Sequence, residues 1–230
     1  MKFFRYFFVA LTATGLWGCA SVDKAAVQAA TDGKSLAIAA TLDSTIRLSW
    51  IGTTAFNNDS STLKRPDWQL ASLALKNAET TLSKGGRFTT VKALELDGLT
   101  KEDVLKHPAA QVADLVVVIS PSVGGDFVPL NEVPLKGIGV RQRSAFGLPP
   151  YSAAYASLEA GLFETKTGRQ IALVTETSLK MIVDKTHGKA ALDKGATLKP
   201  ELEPVVENDI KTVVSAAIQE LIQRLGLGQE

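Results

Sequence analysis

The sequence predicts an α/β (α+β) fold, a single mixed β-sheet with helices packed on its faces, and three observations carry that prediction. Leu115-Val116-Val117-Val118-Ile119 is apolar at five successive positions and β-branched at four, the pattern of a central strand covered on both faces. Val206, Ile210, Val213, Val214, Ala217, Ile218, Leu221 and Leu225 recur three or four residues apart, which makes the last thirty residues an amphipathic helix. Between them, segments with a period of two alternate with segments of helical period, an order that places helices against a sheet.

Each element follows in turn. Residues 20–33 are small, polar and weakly patterned, so they read as a tether, and the domain is expected over 34–230. Leu36 to Leu42 is a short apolar run, and Ile46, Leu48 and Trp50 alternate with Arg47 and Ser49, giving one long bent strand or two short ones. Asn57 to Ser61 has loop composition, and Asp67 after Pro66 is placed to cap a helix. That helix carries Ala71, Ala74, Leu75, Ala78 and Leu82 on one stripe and stops at Gly85-Gly86. Arg87 to Leu94 reads as a strand, and Thr100 with Asp103 as an acidic capping box for a short helix ending near His107-Pro108. Asp126 to Pro150 holds four prolines and three glycines around Arg141-Gln142-Arg143 and is expected to contain an exposed loop. Tyr155 to Phe163 and Gln170 to Met181 form the clearest hairpin, joined at Glu164 to Arg169, where Gly168 takes positive φ at little cost. A polar segment from Asp184 to Lys199 leads to the last helix, which Gly226 ends.

The N-terminus supplies an address. Lys2 and Arg5 precede a mostly apolar stretch, Phe7 to Leu16, too short for the roughly 20 residues that span a bilayer, so residues 1–18 read as a cleaved signal peptide. Leu16-Trp17-Gly18-Cys19 resembles the bacterial lipobox, with Trp17 a bulky departure from it. The resemblance implies cleavage before Cys19 and acylation of its thiol and new amino group. Ala20 lacks the aspartate associated with inner-membrane retention, which by the same resemblance implies the outer membrane, periplasmic face. Membrane contact through the N-terminal lipid is therefore the first expected partnership.

Composition excludes several classes. Removing Lys2 and Arg5 takes the basic count from 25 to 23 against 24 acids, a net charge of −1, so no cationic funnel for nucleic acid is expected. Cys19 is the one cysteine, which leaves none for a disulfide or a thiolate site once it is acylated. Neither a metal site nor a cofactor is expected. Asp32-Gly33-Lys34-Ser35 copies the end of a phosphate loop but has Gln28 where the first glycine belongs and leads into a strand. Ser120 lacks a Gly-x-Ser-x-Gly context, His107 sits at a helix end and His187 in a basic turn. Asp114 reads as a turn residue, and Glu201, Glu203 and Glu207 as helix-start acids.

Gly86-Arg87-Phe88 leading into a strand, Ala113 to Val117 into a central strand, and Leu162 to Arg169 at a hairpin resemble an envelope family. It is the α/β domain shared by the curli secretion channel lipoprotein, the N-terminal part of the Tol system's propeller protein and a lipoprotein activator of peptidoglycan synthases. The resemblance runs over about residues 34–225 and implies the fold more than a function. Val123 to Tyr151 lacks the alternating segments that barrel strands need, so a channel is not expected. The expected function is that of a lipid-anchored binding, assembly or accessory factor and not an enzyme. A periplasmic hydrolase and a self-associating structural lipoprotein stay open as alternatives. The candidate partner-binding residues are Arg141, Arg143, Phe146 and Tyr151, an arginine and aromatic cluster of the kind interfaces favour, facing an envelope protein or a second copy.

Overall fold

The structure, a computed structural model, describes residues 22–52, 58–96, 98–125, 134–144, 150–183 and 190–228. Its architecture is the mixed sheet with helices on both faces that the sequence predicts. Helix α1 (Lys24–Thr31) leads into β1 (Ser35–Ala40), β2 (Thr45–Ile51), β3 (Asp59–Lys64), α2 (Leu70–Lys84) and β4 (Thr90–Leu94). The short helices α3 (Lys101–Lys106) and α4 (Pro108–Gln111) precede β5 (Leu115–Pro121), β6 (Val123–Gly124), β7 (Leu135–Lys136) and β8 (Ile138–Arg143). The long hairpin strands β9 (Tyr151–Glu164) and β10 (Gln170–Met181), a small pair β11 (Leu192–Asp193) and β12 (Thr197–Leu198), and helix α5 (Glu203–Arg224) complete the chain.

The register shows that eight strands lie in five rows. On one side of β9, β5 pairs with its second half (Val117 with Leu162) and β8 with its first half (Val140 with Ala154), so β5 and β8 stand end to end. Next to them β1 runs parallel to β5 and β2 parallel to β8, so these two are also end to end, and β4 and β3 form the outer row. On its other side β9 pairs with β10 along its length. The stretch from Leu36 to Trp50, expected as one long bent strand or two short ones, is two strands in one line interrupted at residues 41–44, where Thr41 N–H still donates to the Ile119 carbonyl at 2.8 Å.

Alternation sorts the side chains onto two faces. Leu36, Ile38, Leu48, Val117, Ile119, Val140, Ala154, Ala156, Leu158, Ala160 and Leu162 share the face that α2 and α5 cover. Alanines at 154, 156 and 160 let α5 approach β9 closely, and all eight predicted apolar positions of α5 are buried. The opposite face is covered in its lower half by α3 and α4, over Ala37, Ala39, Leu94, Val116, Val118 and Phe163. Gly161 makes room here, since a Cβ would lie 2.5 Å from the Phe163 ring.

Several expectations are corrected. Residues 24–31, expected as tether, form α1 with Asp23 as its N-cap, because Val27 finds a place in the main core and Gly33 N–H bonds the Arg87 carbonyl at 3.1 Å. The packed domain therefore takes in residues 22–33, ahead of Lys34. Residues 59–61, expected in a loop, belong to β3, whose polar side chains suit an edge row that, among the described residues, pairs only with β2. Asp67 does not cap α2. It lies in a 3₁₀ turn, Pro66–Trp68, that buries Trp68, and Gln69 enters α2 from left-handed backbone at φ 51°. The strand expected from Arg87 begins at Thr90. The capping box forms in full, with Thr100 accepting from Asp103 N–H and Asp103 from Thr100 N–H.

Candidate binding surface

The upper half of the second face, beyond α3 and α4, is where polar groups collect. β2 and β8 run side by side there, with Arg47 in register with Gly139 and Arg143 with Ile51. Side chains two apart share a face, so Arg47, Arg141 and Arg143 lie on one side of the sheet together with Tyr155, the register partner of Gly139. Gly139 is required by this arrangement: a Cβ would stand 2.2 Å from the Arg47 carbonyl oxygen and 2.7 Å from the Tyr155 hydroxyl. The Tyr155 ring is buried, its hydroxyl donates to the Lys136 carbonyl at 3.4 Å, and burial pushes the phenol up to about 12 against the opposing pull of Arg47 and Arg141. Tyr155 is neutral throughout the ordinary pH range and serves as a wall.

The arginines overturn an expectation. Arg141 and Arg143 are 4% and 8% exposed, not displayed on a loop, because β8 is an inner strand paired on both sides. Tyr151, half-buried at the start of β9, is in register with Arg143. Phe146, Cys19 and His187 lie outside the described residues. The one trace of β8 in the sequence is the short alternation Ile138, Val140, Gln142, which face α5 or the segment beside it and include only two apolar residues, too few to place a strand. Gln142 Oε1 accepts from Ser152 Oγ at 2.9 Å and from Leu192 N–H at 2.7 Å, while Ser152 Oγ accepts from Ala191 N–H at 2.8 Å. These buried bonds fasten the 190–192 segment to the sheet, and no periodicity in the sequence signals them.

The other singled-out residues have structural partners. Ser120 Oγ bonds Thr41 Oγ1 at 2.9 Å, and His107 Nδ1 accepts from Ala109 N–H at 3.2 Å as the N-cap of α4. Asp114 accepts from Ser35 N–H at 3.0 Å and Ser35 Oγ at 2.7 Å, which, with Lys34 and Lys166 nearby, holds its carboxyl below the usual range. Gly33 ends a helix and precedes a strand, the reverse of a phosphate loop. A cleft of about 480 Å³ beside Asp43, Ser44, Gln69 and Ser72 contains Arg65, which is paired with Glu203 at 2.5 Å. Among the described residues no three of His, Cys, Asp and Glu gather as a metal site, and no helix is long and apolar enough to cross a membrane.

The outermost row of this half is the edge strand β10. Ser157 sends its backbone away from β10, donating to the Gly137 carbonyl at 2.7 Å and accepting from Ser122 N–H at 2.9 Å. Its register partner Thr177 therefore points its own N–H and C=O outward, as do Leu179 and Met181 at the same phase. The Thr175 carbonyl, also outward, is taken by Arg224 at 2.5 Å. Leu179 and Met181 are 43% and 45% exposed. Lys180 does not guard this edge, because it turns to the other face and meets the nearly buried Asp209 of α5 at 2.7 Å.

No protein-family profile matches the chain, and no curated protein matches it. Among solved structures it is similar to a DUF330 family protein from Xanthomonas campestris (12% identity, 84% of this chain and 83% of that one, TM-score 0.42). It is also similar to the PelC dodecamer from Paraburkholderia phytofirmans (11%, 84% and 89%, TM-score 0.37) and to lipoprotein GNA1162 from Neisseria meningitidis (12%, 66% and 87%, TM-score 0.29). These likenesses do not show membership of the curli channel and Tol propeller family.

Proposed function

We propose that this chain is an envelope lipoprotein, acylated at Cys19 and held at the periplasmic face of the outer membrane, that acts as a binding or assembly factor rather than an enzyme. The observation that carries the assembly reading is the upper edge of β10. Outward backbone groups at Thr177, Leu179 and Met181 stand beside exposed apolar side chains on a strand that, among the described residues, pairs only with β9. A strand left in this state is a template for another chain, since main-chain hydrogen bonds supply affinity and alternate side chains supply selectivity. The arginine pair is buried, so β10 replaces it as the partner-facing element.

A photo-crosslinking residue placed at Leu179 in cells is expected to capture a protein adduct, and one at Val112, exposed at 86% beyond α4, is not. An adduct of twice the chain mass identifies a second copy, and any other mass a different envelope protein. Equal capture at the two positions, or none at Leu179, overturns the assignment of β10. Release of Cys19→Ser from membranes in salt, with loss of the acyl mass, is the expected check of the anchor.

A further inference from the structure

We infer that the domain stands on the membrane by the lower end of its sheet, with Lys24, Lys34 and Lys166 against anionic phospholipid headgroups. The inference rests on the proposed acylation of Cys19. From Cys19 to Val22 the chain makes three steps, which reach at most about 11 Å however they are folded. Val22 already packs against the core, and α1 follows at once. The anchor is therefore not a leash.

The position of α1 decides which end is held. Lys24 packs on Gly226 at the C-terminal end of α5, and at the other end of the helix Gly33 N–H and Thr89 N–H tie the chain to Arg87 and Lys34. Ser35 begins β1 in register with Thr90 at the start of β4, and Leu36 with Leu115 at the start of β5. Thr165 in the β9–β10 turn bonds the Ala113 and Asp114 carbonyls. All of these mark one end of the sheet. The far end, where Gly195 bonds Asp59, lies a full β9 away, and its 14 residues measure about 46 Å. A link of about 11 Å cannot bring that end to the bilayer while α1 stays seated.

Charge agrees with the geometry. Among the described residues Asp23 caps α1, Asp32 meets Arg87, Asp114 accepts from Ser35, and Glu164 is bonded by Arg169, so these carboxylates at the lower end are engaged within the protein. Lys24, Lys34 and Lys166 are exposed on the same end. Ammonium groups set within a Debye length of an anionic leaflet are attracted to it, and their apolar stems tolerate the interface.

The test is lysine acetylation by a water-soluble reagent, read residue by residue by mass spectrometry, on the purified full chain in phosphatidylethanolamine–phosphatidylglycerol vesicles and on soluble Cys19→Ser protein. Lys24, Lys34 and Lys166 are expected to react about fivefold more slowly on vesicles, the occupancy ratio that one lysine contact with an anionic surface supplies. Lys194, at the far end, is expected to keep its rate. Protection of Lys194 equal to that of Lys34, or no protection anywhere, overturns the orientation. Protection unchanged on phosphatidylcholine vesicles overturns the anionic headgroup. Intact mass on the same sample reports acylation of Cys19 separately. If the thiol is free, coupling it to a maleimide phospholipid restores the same link, and the footprint is read in the same way.

Discussion

The two faces of the sheet are built from the same strands by opposite means. One face is almost wholly aliphatic and lies under two long helices, α2 and α5, in a single cluster that runs the length of the molecule. The other is split: its lower half is a small apolar cluster under α3 and α4, and its upper half carries Arg47, Arg141, Arg143 and Tyr155. Dispersion and apolar burial are additive and tolerant of detail, so the first face can stabilise the fold by itself. Polar groups packed on a sheet need particular neighbours, so the second face is where single residues should matter for shape rather than for bulk stability.

Truncation after Pro204 breaks this comparison at its strongest point. It removes eight buried apolar positions, seven of them Val, Ile or Leu side chains worth about 1.5–3 kcal/mol each, against a net stability of roughly 5–15 kcal/mol for a domain. The expected result is a chain with no cooperative thermal or denaturant transition. A truncated protein that unfolds cooperatively at the full-length midpoint would show that α5 is not the foundation of the first face.

On the second face, Gly139→Ala is expected to cost about 1–3 kcal/mol, since the new methyl meets the Arg47 carbonyl oxygen at 2.2 Å and both strands must move. The readouts are the urea midpoint and the near-ultraviolet signal of Tyr155, which should both change. Arg141→Ala should destabilise by a similar or smaller amount, because truncation empties a buried site on an inner strand. Near-neutral stability for Arg141→Ala would return this residue to the surface role that its sequence context suggests.

The first face was legible in the sequence and the second was not, for a physical reason. Periodicity records which residues avoid water, so the α5 stripe, the Leu115–Ile119 strand and the 155–181 hairpin could all be placed from apolar spacing alone. β8 could not. Its second-face side chains are Gly139, Arg141 and Arg143, which carry loop character, and its burial comes from pairing with β2 and β9, strands distant in sequence. Likewise α1 has one strongly apolar anchor, Val27, and looks like linker until the core that receives it exists. The alternation predicts β10 as a strand, but only the register shows that backbone groups at Thr177, Leu179 and Met181 point away from β9. Cys19 is the reverse case, conspicuous in sequence and outside the described residues.

The smallest expected effect lies where the two faces meet at the lower end, in the acid sensitivity of Asp114. Its hydrogen bonds from Ser35 join β1 to β5, and they hold the carboxyl below its ordinary value of 3.8; Asp103, Glu164 and Glu203 are lowered by their own partners, Thr100, Arg169 and Arg65. A carboxyl whose folded pKa is depressed contributes stability that is fully present above its unfolded value and is lost as pH falls through the folded one. The midpoint of thermal unfolding should therefore stay level above about pH 5 and decline below about pH 4. Asp114→Asn should lower the midpoint slightly near neutrality, and the gap from the parent protein should close as pH falls through the depressed folded value of the parent carboxyl, below 3.8. Asp103 and Asp114 are exposed and Glu164 and Glu203 partly so, and screening keeps each contribution small. A gap that persists undiminished at low pH would mean that Asp114 acts through its shape between β1 and β5, and that its charge contributes nothing to joining them.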